Sequence, residues 1–100
     1  MLDFIKSLFK GENYKGMMAK GAVIIDVRSD AEYKNGHISG SKNIPLHRIS
    51  SQSKELLALN KTIILCCASG MRSGQGTAML KSIGVDAFNG GSWKSLQSKI

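Results

Sequence analysis

Thr62-Ile63-Ile64-Leu65-Cys66-Cys67-Ala68-Ser69-Gly70-Met71-Arg72-Ser73 is the stretch that decides how this 100-residue chain is read. Its first half is β-branched and apolar without alternation, the pattern of a strand buried on both faces of a parallel sheet. Its second half is small and turn-forming. Beyond it Ala78, Met79 and Ile83 recur at helical spacing, which predicts a helix over 73–83. A strand that turns sharply into a helix leaves the turn at the carboxyl edge of the sheet, where open α/β sheets bind ligands. The N–H groups of the turn and the positive end of the helix converge on whatever lies inside it. A cysteine opening such a turn has its thiolate form favoured, so Cys67 is the candidate nucleophile. Ala68, Ser69 and Gly70 let the backbone curl into an anion-binding nest, and Arg72 adds a fixed positive charge beside it. Cys66 reads more simply, as a small buried residue that continues the apolar strand.

Working outward, Asn60-Lys61 is the turn into this strand, and Leu46 to Leu59 before it has helical spacing, with Ile49, Leu56, Leu57 and Leu59 apolar. Ala22 to Val27 is a second central strand, ending in Asp26, Val27 and Arg28. Ser29 or Asp30 caps a short helix over 31–35 that Gly36 ends. His37 to Lys42 is a loop, and Asn43-Ile44 is a very short strand stopped by Pro45. Toward the amino end, Asn13 to Lys20 predicts a helix with Tyr14, Met17 and Met18 inward. Toward the carboxyl end, Gly84 closes the helix, Val85 to Phe88 is a last strand, Asn89-Gly90-Gly91 is a turn, and Ser92 caps a final helix carrying Trp93 and Leu96. Strands alternating with helices at short spacing predict an α/β fold, a mostly parallel sheet flanked by helices on both faces.

The chain divides into an amphipathic amino-terminal arm over 1–12, with Leu2, Ile5, Leu8 and Phe9 on one side, and a single domain over 13–100. No run approaches the roughly 18 apolar residues of a membrane span. The interrupted arm lacks the unbroken apolar centre of a signal peptide, so a cytoplasmic protein is expected. Two cysteines adjacent in sequence give no disulfide framework. His37 and His47 have no second ligand pair at metal spacing, which argues against zinc, and nothing calls for a cofactor. The net charge of +7 fits an anionic small substrate or an acidic protein partner. The Lys and Arg residues form no basic run and few aromatics accompany them, which argues against nucleic acid.

Three segments resemble one family. The loop Cys67-Ala68-Ser69-Gly70-Met71-Arg72-Ser73 is similar to the active-site loop of single-domain rhodaneses, sulfurtransferases that carry sulfur as a cysteine persulfide. Ile25-Asp26-Val27-Arg28 with Glu32-Tyr33, Gly36-His37-Ile38, Gly40-Ser41 and Asn43-Ile44-Pro45 resembles its amino-terminal signature. Asn89-Gly90-Gly91 followed by Trp93 resembles its ending. The resemblance implies a rhodanese-like fold, with a parallel sheet of four to five strands. It implies that Cys67 accepts the sulfur and that the amides of Ala68, Ser69, Gly70, Met71 and Arg72 cradle the persulfide. It further implies a small anionic donor such as thiosulfate, held partly by Arg72, and a thiol or cyanide as acceptor. Asp26, Arg28, Glu32, His37 and Ser73 match supporting positions, with an Arg28–Glu32 pair and a His37 hydrogen bond fixing the loop.

Three other readings compete with this one. A cysteine-dependent phosphatase separates its cysteine and arginine by five residues to surround a tetrahedral phosphate. Here four separate Cys67 from Arg72, a tighter cradle that favours sulfur. A non-catalytic rhodanese-like binding module would have lost the cysteine. A persulfide carrier fed by a partner protein needs the same loop as an enzyme. Cys66 could serve as a resolving thiol for Cys67.

Overall fold

Ile63 to Cys67 is buried at every residue and forms a central strand of a parallel sheet. The computed structural model describes residues 12–100. Along them run α1 (Tyr14–Ala19), β1 (Val23–Asp26), α2 (Asp30–Lys34), β2 (Lys42–Asn43), α3 (Leu46–Ala58), β3 (Ile63–Cys67), α4 (Met71–Ser82), β4 (Ala87–Ser92) and α5 (Trp93–Gln97). The arm expected over 1–12 lies outside the described residues except for Glu12.

The four described strands pair in the order β2-β1-β3-β4, all parallel. From β1 the chain steps outward to β2 and then returns to place β3 on the other side of β1. The strand order therefore reverses between β1 and β3, and the crevice at their carboxyl ends is where such sheets take ligands. Among the described residues no helix is long and apolar enough to cross a membrane.

Alternation along the strands splits the core in two. On one face Ile25, Leu65 and Cys67 pack with Ile49 and Leu56 of α3 and Leu80 of α4. On the other, Ile24, Ile64 and Cys66 pack with Tyr14 of α1, Ile38 and Leu96 of α5. The two cysteines, adjacent in sequence, thus face opposite sides of the sheet, and both are free thiols.

In two helices the buried face does not take in all the apolar residues. In α3, Ile49 and Leu56 are buried, while Leu57 and Leu59 are exposed. In α4, which begins at Met71 rather than Ser73, the buried face is Ser73, Gly76, Thr77 and Leu80, and Ala78, Met79 and Ile83 face solvent. The cause is the closeness of α4 to the sheet: a Cβ at Gly76 would stand 2.8 Å from Leu65 Cδ2. Only small side chains fit there, so apolar spacing picks the wrong face.

Asn89-Gly90-Gly91 is not a turn but the middle of β4, which pairs with β3 through Leu65↔Asn89 and Cys67↔Ser92, with a register shift between. Gly91 takes φ +82° at this irregularity. A Cβ at Gly90 would lie 2.9 Å from Ile64 Cγ2, 2.9 Å from Leu96 Cδ2 and 3.1 Å from the Leu65 carbonyl. The glycines are there for close approach and a bulge.

Candidate active site

The sulfur of Cys67 sits at the floor of the loop joining β3 to α4, and the residue is fully buried. Gly70 N–H donates to Cys67 Sγ at 3.0 Å and Ser73 N–H at 3.4 Å, with the Ser73 hydroxyl also at 3.4 Å. Gly70 reaches this position with φ +99°, a left-handed conformation open to glycine. Burial pushes the Cys67 thiol up, but the hydrogen bonds from Ser73, Gly70 and Ser69 outweigh it and hold its pKa below the ordinary thiol range. Burial, with the charge of Asp26 adding, pushes Cys66 the other way, up to about 12. Two neighbouring thiols are thereby set apart, one shifted toward its thiolate and the other toward its thiol. A Cys66–Cys67 resolving pair finds no support, because the strand turns the two side chains to different cores.

The remaining loop residues are divided in their tasks. Ala68 and Ser69 are exposed, and Met71 N–H turns to Ser69 Oγ at 3.5 Å rather than to the sulfur. The Met71 side chain stands in solvent, 75% exposed.

Arg72, expected as a positive charge for an anionic donor, is bound to a carboxylate of the chain itself. Its Nη1 and Nη2 donate to the two carboxylate oxygens of Glu32 at 2.7 and 3.0 Å, across 40 residues of chain. Arg72 and the Ser29 cap together hold the Glu32 pKa down at about 2. Glu32 also closes a capping box, accepting from the N–H and hydroxyl of Ser29, each at 3.1 Å. The expected Arg28–Glu32 carboxylate pair is absent. Arg28 instead forks onto Asp26, Nε to Oδ1 at 2.9 Å and Nη2 to Oδ2 at 2.7 Å, with both residues buried. It reaches only the backbone carbonyl of Glu32, at 3.4 Å, and that of Gly36, at 2.7 Å, and lies over the Trp93 ring. These contacts tie β1 to the segment after α2 and to α5. The His37 hydrogen bond is present: Nδ1 lies 2.7 Å from the Tyr33 carbonyl, with the two rings stacked.

Asn89 is the member of the site that sequence reasoning missed. Its Nδ2 donates to the Gly70 carbonyl at 3.0 Å, and its Oδ1 accepts from Ser73 Oγ at 2.7 Å and Gly91 N at 3.0 Å. Tyr14 OH in turn donates to the Asn89 carbonyl. Asn89 therefore moors both ends of the loop that wraps the sulfur. The only signal for it was the Asn-Gly-Gly triplet, which local rules read as a turn. Beside Arg72 opens a groove of about 460 Å³ whose walls include Val27, Pro45, Leu46, His47 and Asp30. Among the described residues no group of three or more His, Cys, Asp and Glu is placed to hold a metal ion.

A thiol nested in backbone amides, where a central parallel strand turns into a helix at the sheet's switch point, defines a class of small cysteine-loop α/β domains. The chain belongs to the rhodanese-like domain family, whose family model matches residues 10–98. Among curated relatives, the thiosulfate sulfurtransferase GlpE of Pseudomonas fluorescens is 32% identical over 89 residues, covering 84% of this chain and 81% of that protein. The tRNA sulfurtransferase of Thermoplasma acidophilum is 36% identical over 75 residues, 74% of this chain but 15% of its own length. The chain spans between 15% and 49% of the length of five of the curated relatives it matches. Among solved structures, a rhodanese with anions from E. coli superposes with a TM-score of 0.68 at 30% identity, covering 75% of this chain and 91% of that one.

Proposed function

We propose that the chain is a sulfurtransferase that carries sulfane sulfur as a persulfide on Cys67. It would take the sulfur from thiosulfate or another persulfide donor and pass it to a thiophilic acceptor such as cyanide or a thiol. The observation that carries the reading is the cradle: Gly70 and Ser73 amides donate to a buried Sγ whose pKa lies below the ordinary thiol range. With thiosulfate, the Cys67 thiolate attacks the outer sulfur, the S–S bond breaks, and sulfite leaves with the electron pair. The new persulfide would carry its negative outer sulfur beside the loop amides and the positive amino end of α4. Cyanide then attacks that sulfur, thiocyanate departs, and the thiolate is restored, a two-step exchange through a covalent intermediate. Relatives named as thiosulfate sulfurtransferases support this activity.

A second reading has its own support. The burial of Cys67 and the engagement of Arg72 by Glu32 would suit a persulfide carrier loaded by a partner protein, and the net charge of +7 would suit an acidic one. One relative is named a putative sulfur carrier.

Intact mass after incubation with thiosulfate separates the readings. A gain of one sulfur atom, reversed by cyanide and absent in Cys67→Ser, supports the enzyme. No gain, with sulfur accepted only from a protein persulfide, supports the carrier.

A further inference from the structure

If Cys67 accepts sulfane sulfur from an anionic donor, Arg72 is the one cation of its loop, and Arg72 is already occupied. Both of its terminal nitrogens are bound to Glu32, whose carboxylate is ionised throughout the physiological range. Arg28, at the end of β1, is likewise forked onto Asp26. Both arginines thus carry a carboxylate within hydrogen-bond distance. A dianion at the loop must share Arg72 with Glu32 or expel it, and expulsion would also undo the Ser29 cap of α2. The groove that Arg72 shares with Val27, Pro45 and Leu46 has a volume of about 460 Å³, within the range of sites that hold organic ligands, and Asp30 adds a further carboxylate.

On the sulfurtransferase reading, we propose that Glu32 determines donor specificity by cancelling the charge of Arg72. The donor this site takes is then an organic sulfane-sulfur compound of lower negative charge than thiosulfate, with its carbon arm against Val27, Pro45 and Leu46. For an organic persulfide R–S–SH, the Cys67 thiolate attacks the outer sulfur and the bond between the two donor sulfurs breaks as the bond to Sγ forms. R–S⁻ leaves with the electron pair and takes up the proton of the transferred sulfur. Cys67 is left as the persulfide anion, and no oxidant or reductant is needed.

Three probes isolate the two parts of this proposal. Thiosulfate is a dianion, methanethiosulfonate a monoanion with a small arm, and benzenethiosulfonate a monoanion with a large apolar arm; each offers one sulfane sulfur. The rate of sulfur loading on Cys67, followed by mass, gives kcat/KM for each donor with the wild-type protein and with Glu32→Gln. Glutamine keeps an acceptor for the Ser29 cap, and thermal melts verify the fold. We expect wild type to favour benzenethiosulfonate over methanethiosulfonate and both over thiosulfate. Glu32→Gln should raise thiosulfate relative to methanethiosulfonate about three- to tenfold, as expected for removing one partly screened charge that acts on a dianion and a monoanion. A purely structural role for Glu32 would move all three donors by one factor, and that result overturns the proposal. So does a wild type that prefers thiosulfate, or one indifferent to the phenyl arm. Loading from none of the three in either protein would refute the sulfurtransferase reading itself for small donors, and this proposal with it.

Discussion

Replacing Gly70 by alanine tests the cradle most directly. Gly70 holds φ +99° and its N–H lies 3.0 Å from Cys67 Sγ. A Cβ at this position would stand 3.2 Å from Gly91 Cα, a backbone atom in β4 with little freedom to retreat. A left-handed conformation costs a non-glycine residue roughly 1–2 kcal/mol, and relief of the backbone contact must come from rotation of the loop. That rotation draws the amide away from the sulfur. A hydrogen bond to a charged acceptor contributes about 1.5–3 kcal/mol, and 1.4 kcal/mol is a factor of ten in an equilibrium. Relative to its high-pH plateau, alkylation of Cys67 by iodoacetamide near neutral pH should therefore fall about tenfold or more in Gly70→Ala. The midpoint of the pH–rate profile should move upward. The plateau reports access to the buried sulfur and the midpoint reports the thiolate, so the two effects separate. Gly21→Ala is the control, because Gly21 has φ +95° with nothing near its added Cβ and carries the same strain away from the site. An unchanged midpoint in Gly70→Ala, or an equal displacement in Gly21→Ala, would refute the claim that the Gly70 amide stabilises the thiolate.

Four further outcomes are expected. Cys67→Ser should abolish sulfur loading with the fold intact, whereas Cys66→Ser should keep most activity while losing about 1–3 kcal/mol of stability for a hydroxyl buried among apolar groups; the reverse pattern of activity would relocate the site. Gly90→Ala should cost about 1–3 kcal/mol in urea unfolding, since its Cβ meets two side chains and a carbonyl near 3 Å, and no loss would contradict the packing of β4 on β3. Asn89→Ala should slow loading severalfold at only modest loss of stability, through release of Gly70 and Ser73 at about 1 kcal/mol per neutral hydrogen bond, and an unaltered rate would remove it from the site. Folding lowers the Glu32 pKa to about 2 from the ordinary 4.5, so its stabilising effect is complete above pH 4.5 and fades as pH falls toward 2. The difference in melting temperature between wild type and Glu32→Gln should shrink over that interval, and a constant difference would show that the pair with Arg72 is energetically silent.

What sequence alone could reach here follows the range of the interactions. The strand Ile63–Cys67, the turn after Cys67 and the start of the helix that Ser29 caps are set by neighbours a few residues apart and are legible locally, though the cap itself stays open between Ser29 and Asp30. The helix after Cys67 was found too, but not its buried face, because Gly76 and Thr77 are selected by closeness to Leu65 rather than by hydrophobicity. Asn89 was mistaken for part of a turn since its partners, Gly70 and Ser73, lie 19 and 16 residues away. Arg28 and Glu32, four residues apart, invited pairing with each other. The fold instead gives Arg28 to its neighbour Asp26 and brings Arg72 across 40 residues to Glu32.

The opposite orientation of Cys66 and Cys67 bears on how this protein meets oxidants. They are the only two cysteines of the chain, and they are paired into different strands' ladders, Cys66 beside Asp26 and Cys67 beside Ser92. Joining them would require peeling a central strand from its neighbours. A sulfenic acid formed on Cys67 therefore meets no thiol of its own chain, and its repair depends on a thiol arriving from outside, either a small molecule or another protein. The same separation that lets the two thiols shift in opposite directions leaves the reactive one without an internal guardian.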